Sequence, residues 1–129
     1  MALLYVDSSA LVKLAVREPE SLALRQFLRG KKGLVASALA RTEVGRALLP
    51  FGDEACQRGR EVLDRVELIR INDRVLELAA QLSPHELRSL DAIHLATARL
   101  LATVKLVVTY DERLAKAARA MGWKIAAPT

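Results

Sequence analysis

Leu3-Leu4-Tyr5-Val6-Asp7-Ser8-Ser9-Ala10-Leu11-Val12-Lys13 is the stretch whose reading decides the fold. An apolar run ends abruptly at an acid and two serines, the pattern of a buried strand whose carboxyl end turns straight into a capped helix. That helix is expected over Ala10 to Val16.

The same alternation recurs along the chain. Pro19 suits a first helical turn, and Leu22, Leu24, Phe27 and Leu28 follow at helical spacing until Gly30-Lys31-Lys32-Gly33 breaks the pattern. Leu34 to Ser37 reads as a second strand, Ala38 to Leu49 as a helix stopped by Pro50, and Asp53 to Val66 as another helix. Glu67 to Ile71 alternates in strand fashion, and Asp73 is expected to cap a helix through Leu82. After the Ser83-Pro84 turn, Ser89 to Ala102 carries apolar residues at helical spacing. Lys105 to Thr109 is a β-branched strand, Asp111 opens a helix that Gly122 ends, and Trp123 to Ala126 supplies a last strand. Parallel strands need helical crossovers, so this order predicts a three-layer α/β/α sandwich around a mostly parallel sheet of four to five strands.

The 129 residues suit one domain, residues 1–129, with no internal repeat or linker. Apolar residues at 52% and charged residues at 27% exclude a disordered chain, and 4% aromatics make the core aliphatic. The N-terminus shows no basic leader, and no run approaches the roughly 18 apolar residues of a membrane span. The lone Cys56 excludes a disulfide framework and a cysteine zinc site and points to a reducing, cytoplasmic setting. The net charge of +5 favours a polyanionic partner, although a solvated basic surface accounts for it equally.

Four acids carry the candidate chemistry. Asp7 and Asp111 fall at strand ends, where ligands of parallel sheets bind. Either also makes a good helix cap. Asp91 lies in a first helical turn, which the helix dipole favours, and Glu43 sits in a helix between Ala40 and Ala47, whose small side chains let a carboxylate approach the sheet. Converging carboxylates raise one another's pKa unless a cation sits among them. Hard oxygen donors without a Cys or His set favour Mg2+ or Mn2+ over zinc.

These motifs resemble those of the PIN-domain nucleases, specifically the VapC-type toxins. The resemblance runs through Val6-Asp7-Ser8-Ser9-Ala10-Leu11-Val12-Lys13, Arg41-Thr42-Glu43-Val44, Leu90-Asp91-Ala92-Ile93-His94-Leu95-Ala96-Thr97-Ala98 and Val108-Thr109-Tyr110-Asp111-Glu112-Arg113-Leu114, in order. It implies a metal-dependent endoribonuclease with Asp7, Glu43, Asp91 and Asp111 as the acidic site. Asp7 and Asp91 would be the direct ligands of Mg2+ or Mn2+, with Glu43 and Asp111 acting through water. Thr109 and Ser8 are expected in support. The resemblance also implies an RNA substrate, a VapB-type antitoxin and a homodimer.

Glu112 directly follows Asp111 and is an alternative fourth acid. His94 stands alone in an apolar helix and reads as a hydrogen-bonded core residue, His85 as exposed, and the Gly30–Gly33 turn as a solvated loop without Walker spacing. Lys13, Arg17, Arg41, Arg46 and Arg113 are candidate phosphate contacts. Two rival classes remain at this point: a magnesium-binding phospho-acceptor or nucleotide module, and a non-cleaving RNA or protein interaction domain. A haloacid-dehalogenase-type site would need a second Asp where Ser9 stands, and a receiver domain would need paired acids after the first strand.

Overall fold

A computed structural model describes residues 2–129. In chain order the elements are β1 (Leu3–Val6), α1 (Ser8–Ala15), α2 (Ser21–Leu28), β2 (Leu34–Ser37), α3 (Ala40–Leu48), a 3-10 turn (Leu49–Phe51), α4 (Asp53–Asp64) and β3 (Glu67–Ile69). They continue with α5 (Asp73–Gln81), α6 (Ser89–Leu100), β4 (Val104–Val108), α7 (Glu112–Ala120) and β5 (Lys124–Ala126). The five strands form one sheet in the order β3-β2-β1-β4-β5, and every pairing is parallel rather than merely most of them.

The chain steps outward from β1 through β2 to β3, then returns to the other side of β1 for β4 and β5. Crossovers between parallel strands are right-handed, so reversing direction along the sheet also exchanges the face that the helices cover. The core shows this exchange. Val6, Ala36 and Val108 pack with residues of α1 to α4. Tyr5, Val35 and Val107 point the other way, against Leu95 and Ala98 of α6 and Leu114 and Ala118 of α7. The two-residue period of each strand therefore feeds two separate apolar layers. Each fully buried Leu or Val there contributes about 1.5–3 kcal/mol.

The close packing of α3 on α4 depends on Gly59, where an added Cβ would collide with the side chain of buried Leu48. No helix of the described residues is long and apolar enough to cross a membrane.

Sequence expectations shift locally at several element ends: α1 begins at Ser8 rather than Ala10, because Asp7 itself is its cap, β3 stops at Ile69 rather than Ile71, α4 stops at Asp64 rather than Val66, and β4 runs one residue earlier than expected. Pro19 precedes α2 by two residues instead of sitting in its first turn. Pro50 does not stop the backbone at once, because its fixed φ suits the 3-10 turn that extends α3. The cap of α5 is Asn72, whose side chain accepts from the Val75 amide at 3.0 Å, and Asp73 is the first helical residue. The helix α6 ends at Leu100, two residues short, as the chain turns to enter β4.

Candidate active site

The sheet order reverses between β1 and β4, and the carboxyl ends of these two strands border the crevice where open α/β sheets bind ligands. Asp7 leaves β1 there and caps α1 through the Ala10 amide at 3.2 Å. The same oxygen, Oδ1, accepts from Ser9 Oγ at 2.6 Å, while Oδ2 accepts from Thr109 Oγ1 at 2.7 Å. Asp7 is 4% exposed, and among the described residues no Lys, Arg or His forms a salt bridge with it. Burial pushes its carboxyl above the ordinary carboxylate range, against the pull of its hydrogen bonds from Ser9, Thr109 and Ala10.

Thr109 binds the two strand ends together. Its hydroxyl donates to Asp7 and accepts the backbone N–H of Asp111 at 3.0 Å. Asp111 in turn caps α7, with Oδ1 accepting from the Arg113 and Leu114 amides at 2.9 and 3.2 Å. It is exposed, as is Glu112 in the first turn of the same helix.

Glu43 comes from α3. Its Oε1 accepts from Ser8 Oγ at 2.6 Å and lies 2.7 Å from His94 Nε2 of α6. Burial raises its pKa, but the hydrogen bonds from His94 and Ser8 outweigh that, so the carboxyl titrates below its ordinary value. Asp91 lies one helical turn before His94, and its carboxyl is pushed up by burial and then by the charge of Asp111. The permanent charges of Arg113 and Arg88 pull it back down.

The four acids thus reach the mouth of the β1–β4 crevice from four elements, linked in two sets. Thr109 joins Asp7 to the Asp111 backbone, and Asp111 repels Asp91 electrostatically. Ser8 and His94 hold Glu43. They do not form a closed shell: among the described residues, no three His, Cys, Asp or Glu side chains stand close enough to hold an ion ready-made.

The donor set nonetheless fits a hard divalent cation. Asp7 is a buried carboxylate with hydroxyl and amide partners and no salt-bridging cation, while Glu43 and Asp111 each have one oxygen committed to protein donors and a second without a protein hydrogen bond among the described residues.

Some site residues carried little signal in sequence. Ser9 donates to Asp7 and accepts from the Tyr110 amide at 2.9 Å, and Tyr5 Oη lies 2.6 Å from His94 Nδ1. Arg88 has no motif to mark it, whereas Ser9 stands inside the first motif. Lys13, a candidate phosphate contact, instead pairs with Glu18 and Glu20 at 3.3 and 2.8 Å and stands over the Tyr110 ring. Arg41 and Arg46 line a groove between α3 and α4. Arg113 alone of the five expected cations acts on Asp91. His85 is exposed as expected.

A cavity of about 590 Å³ lies at the opposite, amino end of the sheet and is lined by Arg25, Arg29, Lys31, Lys32 and Arg65, among others. Helices α2 and α4 end there, and cations are favoured at helix carboxyl ends. Arg25 and Lys31 donate to the backbone carbonyls of Leu14 and Phe27.

A doubly wound parallel sheet with acids at its switch point defines the class of α/β proteins that handle phosphate groups with a divalent cation, and comparison with known proteins makes the assignment specific. The PIN domain family model matches residues 4–120. Ribonuclease VapC46 of Mycobacterium tuberculosis is 55% identical over 130 residues, covering 100% of both chains. Ribonuclease VapC47 of the same species is 37% identical, over 98% of this chain and 97% of the relative. The chain belongs to the PIN-domain family, among its VapC-type ribonucleases.

Solved structures share the fold at low identity. A chain of a toxin-antitoxin complex from Klebsiella pneumoniae superposes with a TM-score of 0.75 at 23% identity, over 99% of this chain and 98% of that one. The Mycobacterium tuberculosis toxin VapC20, which cleaves the sarcin-ricin loop, superposes with a TM-score of 0.77 at 16% identity, over 97% and 99%.

Proposed function

We propose that this VapC-type ribonuclease is the toxin of a toxin-antitoxin pair, hydrolysing RNA phosphodiester bonds with water as nucleophile and Mg2+ or Mn2+ as cofactor. The observation that carries this reading is Asp7: buried at the sheet's switch point, held by three donors, and without a salt-bridging cation among the described residues.

Asp7 and Asp91 are the direct ligands in this reading, and Glu43 and Asp111 act through water. The bound ion supplies Lewis-acid polarisation of the phosphoryl oxygens and a water of lowered pKa. Asp7 is held rigid by Ser9, Ala10 and Thr109, so its geometry needs no reorganisation. Glu43, titrating below its ordinary value, accepts a hydrogen bond from the attacking water and orients it. Arg88 and Arg113, whose charges already act on Asp91, flank the scissile phosphate.

The whole of residues 1–129 acts as one nuclease domain in a cytoplasmic setting. An antitoxin of the VapB type covers the acidic crevice. A homodimer or the antitoxin shields the exposed apolar side chains Leu22, Leu49 and Phe51, which are 64%, 62% and 58% exposed.

The test is incubation with a panel of structured and single-stranded RNAs and Mn2+ or Mg2+, with chelator and Asp7→Asn controls. Cleavage abolished by both controls supports the reading. Intact RNA across the panel, with tight binding retained, favours the interaction-module reading instead.

A further inference from the structure

Glu43 is the end of a hydrogen-bond chain that crosses the protein. The Ser37 amide donates to Tyr5 Oη at 3.1 Å, Tyr5 Oη lies 2.6 Å from His94 Nδ1, and His94 Nε2 lies 2.7 Å from Glu43 Oε1. Tyr5 is 1% exposed, Ser37 0% and His94 4%. The chain fastens β1, β2, α6 and α3 to one another, and none of its inner members belongs to the acidic set.

The directions of these bonds follow from what each atom can do. Ser37 N–H can only donate, so Tyr5 Oη accepts there and its own hydrogen needs an acceptor. Among the described residues His94 Nδ1 is the acceptor within reach. An imidazole whose Nδ1 accepts carries its proton on Nε2, and that N–H then points at Glu43 Oε1. Because the chain ends at a buried backbone amide, which accepts no proton, it is not a route for protons to solvent. It is a brace.

We propose that Tyr5 and His94 are positioning residues: Tyr5 locks His94 in the Nε2–H tautomer, and His94, with Ser8, pins Glu43 Oε1 so that Oε2 is presented to the metal's water shell. This rests on the metal-dependent reading above. The brace also explains why a histidine stands in an otherwise apolar helix face. Orientation of a carboxylate from the outer shell is worth about 10–100-fold in metal affinity or activity.

Two substitutions separate positioning from mere packing. His94→Gln places an amide N–H near the position of Nε2 and keeps a donor for Glu43. His94→Asn is shorter and keeps an acceptor for Tyr5 while losing that donor. Mn2+ affinity by calorimetry is expected to stay within about threefold of wild type in His94→Gln and to fall about tenfold in His94→Asn. In cleavage assays kcat should fall in His94→Asn with KM for RNA little changed. Two-bond 1H–15N spectra of the metal-free wild type should show His94 protonated at Nε2 alone, and Tyr5→Phe should shift the Nδ1 resonance.

Equal Mn2+ affinities for the Gln and Asn variants, or an Nδ1–H tautomer in the wild type, would overturn the proposal. Wild-type protein that binds no Mn2+ would defeat the metal reading itself, and the role toward the water shell with it, while the tautomer measurement still decides the Tyr5–His94 lock.

Discussion

Thr109 donates its hydroxyl hydrogen to Asp7 across 2.7 Å and accepts the amide of Asp111, so one side chain at the end of β4 sets the position of both acids at the switch point. Thr109→Val keeps the shape and removes both bonds. It leaves a buried carboxylate oxygen and a backbone N–H without partners, each costing about 1–3 kcal/mol. Denaturant unfolding should report that loss and cleavage should fall about tenfold. Thr109→Ser, which restores the hydroxyl, should recover most of both.

Asp7→Asn should abolish cleavage and yet stabilise the metal-free protein at neutral pH. Burial holds the Asp7 carboxyl above its ordinary value, so the folded state binds more protons than the unfolded one. Stability is then full below the ordinary carboxylate value and declines as pH rises through the shifted one. The amide oxygen of Asn still caps α1 and accepts from Ser9 without carrying charge, while its N–H takes the place of Oδ2 and donates to the Thr109 oxygen, reversing that bond. Unfolding measured across pH should show a weaker decline in the variant, the remainder coming from Asp91, which burial and Asp111 shift in the same direction. Saturating Mn2+ should restore stability to the wild type and do little for the variant. A steeper pH dependence in Asp7→Asn would contradict the account.

Asp111→Asn and Glu112→Gln separate the two adjacent acids. Asn caps a helix about as well as Asp, so α7 should survive in the first variant with little change in melting temperature. Its cleavage rate should nonetheless drop about tenfold or more, because a carboxylate facing Asp91 is lost. Glu112→Gln removes only an exposed charge at a helix start, worth about 0.3–1 kcal/mol, and should leave cleavage near the wild-type rate. The reverse ranking would move the fourth acid to Glu112.

Gly59→Ala and Gly45→Ala are expected to differ in sign. At Gly59 the new methyl meets the side chain of Leu48, itself fully buried, and overpacking costs about 1–3 kcal/mol. At Gly45, exposed in α3, a Cβ meets nothing within 4 Å, and the gain in helix propensity should stabilise by about 0.5–1 kcal/mol. Thermal unfolding of the two variants checks both.

How much of this was legible in the sequence depends on the range over which a residue acts. The order of strands and helices, the strand-to-helix break at Asp7 and the cap at Asp111 are local, and periodicity and capping chemistry disclosed them. Boundaries moved where one side chain outcompeted its neighbour, as Asn72 did against Asp73. The acids could be named because each stands in a local motif, although their separation into two linked sets could not.

What the sequence determined by itself was therefore Asp7 at the end of a buried strand, the alternation of elements around it, and the family to which these motifs belong. The tertiary structure decided what surrounds that carboxylate: Thr109, 102 residues away, as its second anchor, and the brace in which Tyr5 meets His94 across 89 residues and His94 meets Glu43 across 51. Such bonds need donors and acceptors on separate elements to be placed within tenths of an ångström. No local pattern encodes that placement; the right-handed winding of the chain around one parallel sheet produces it.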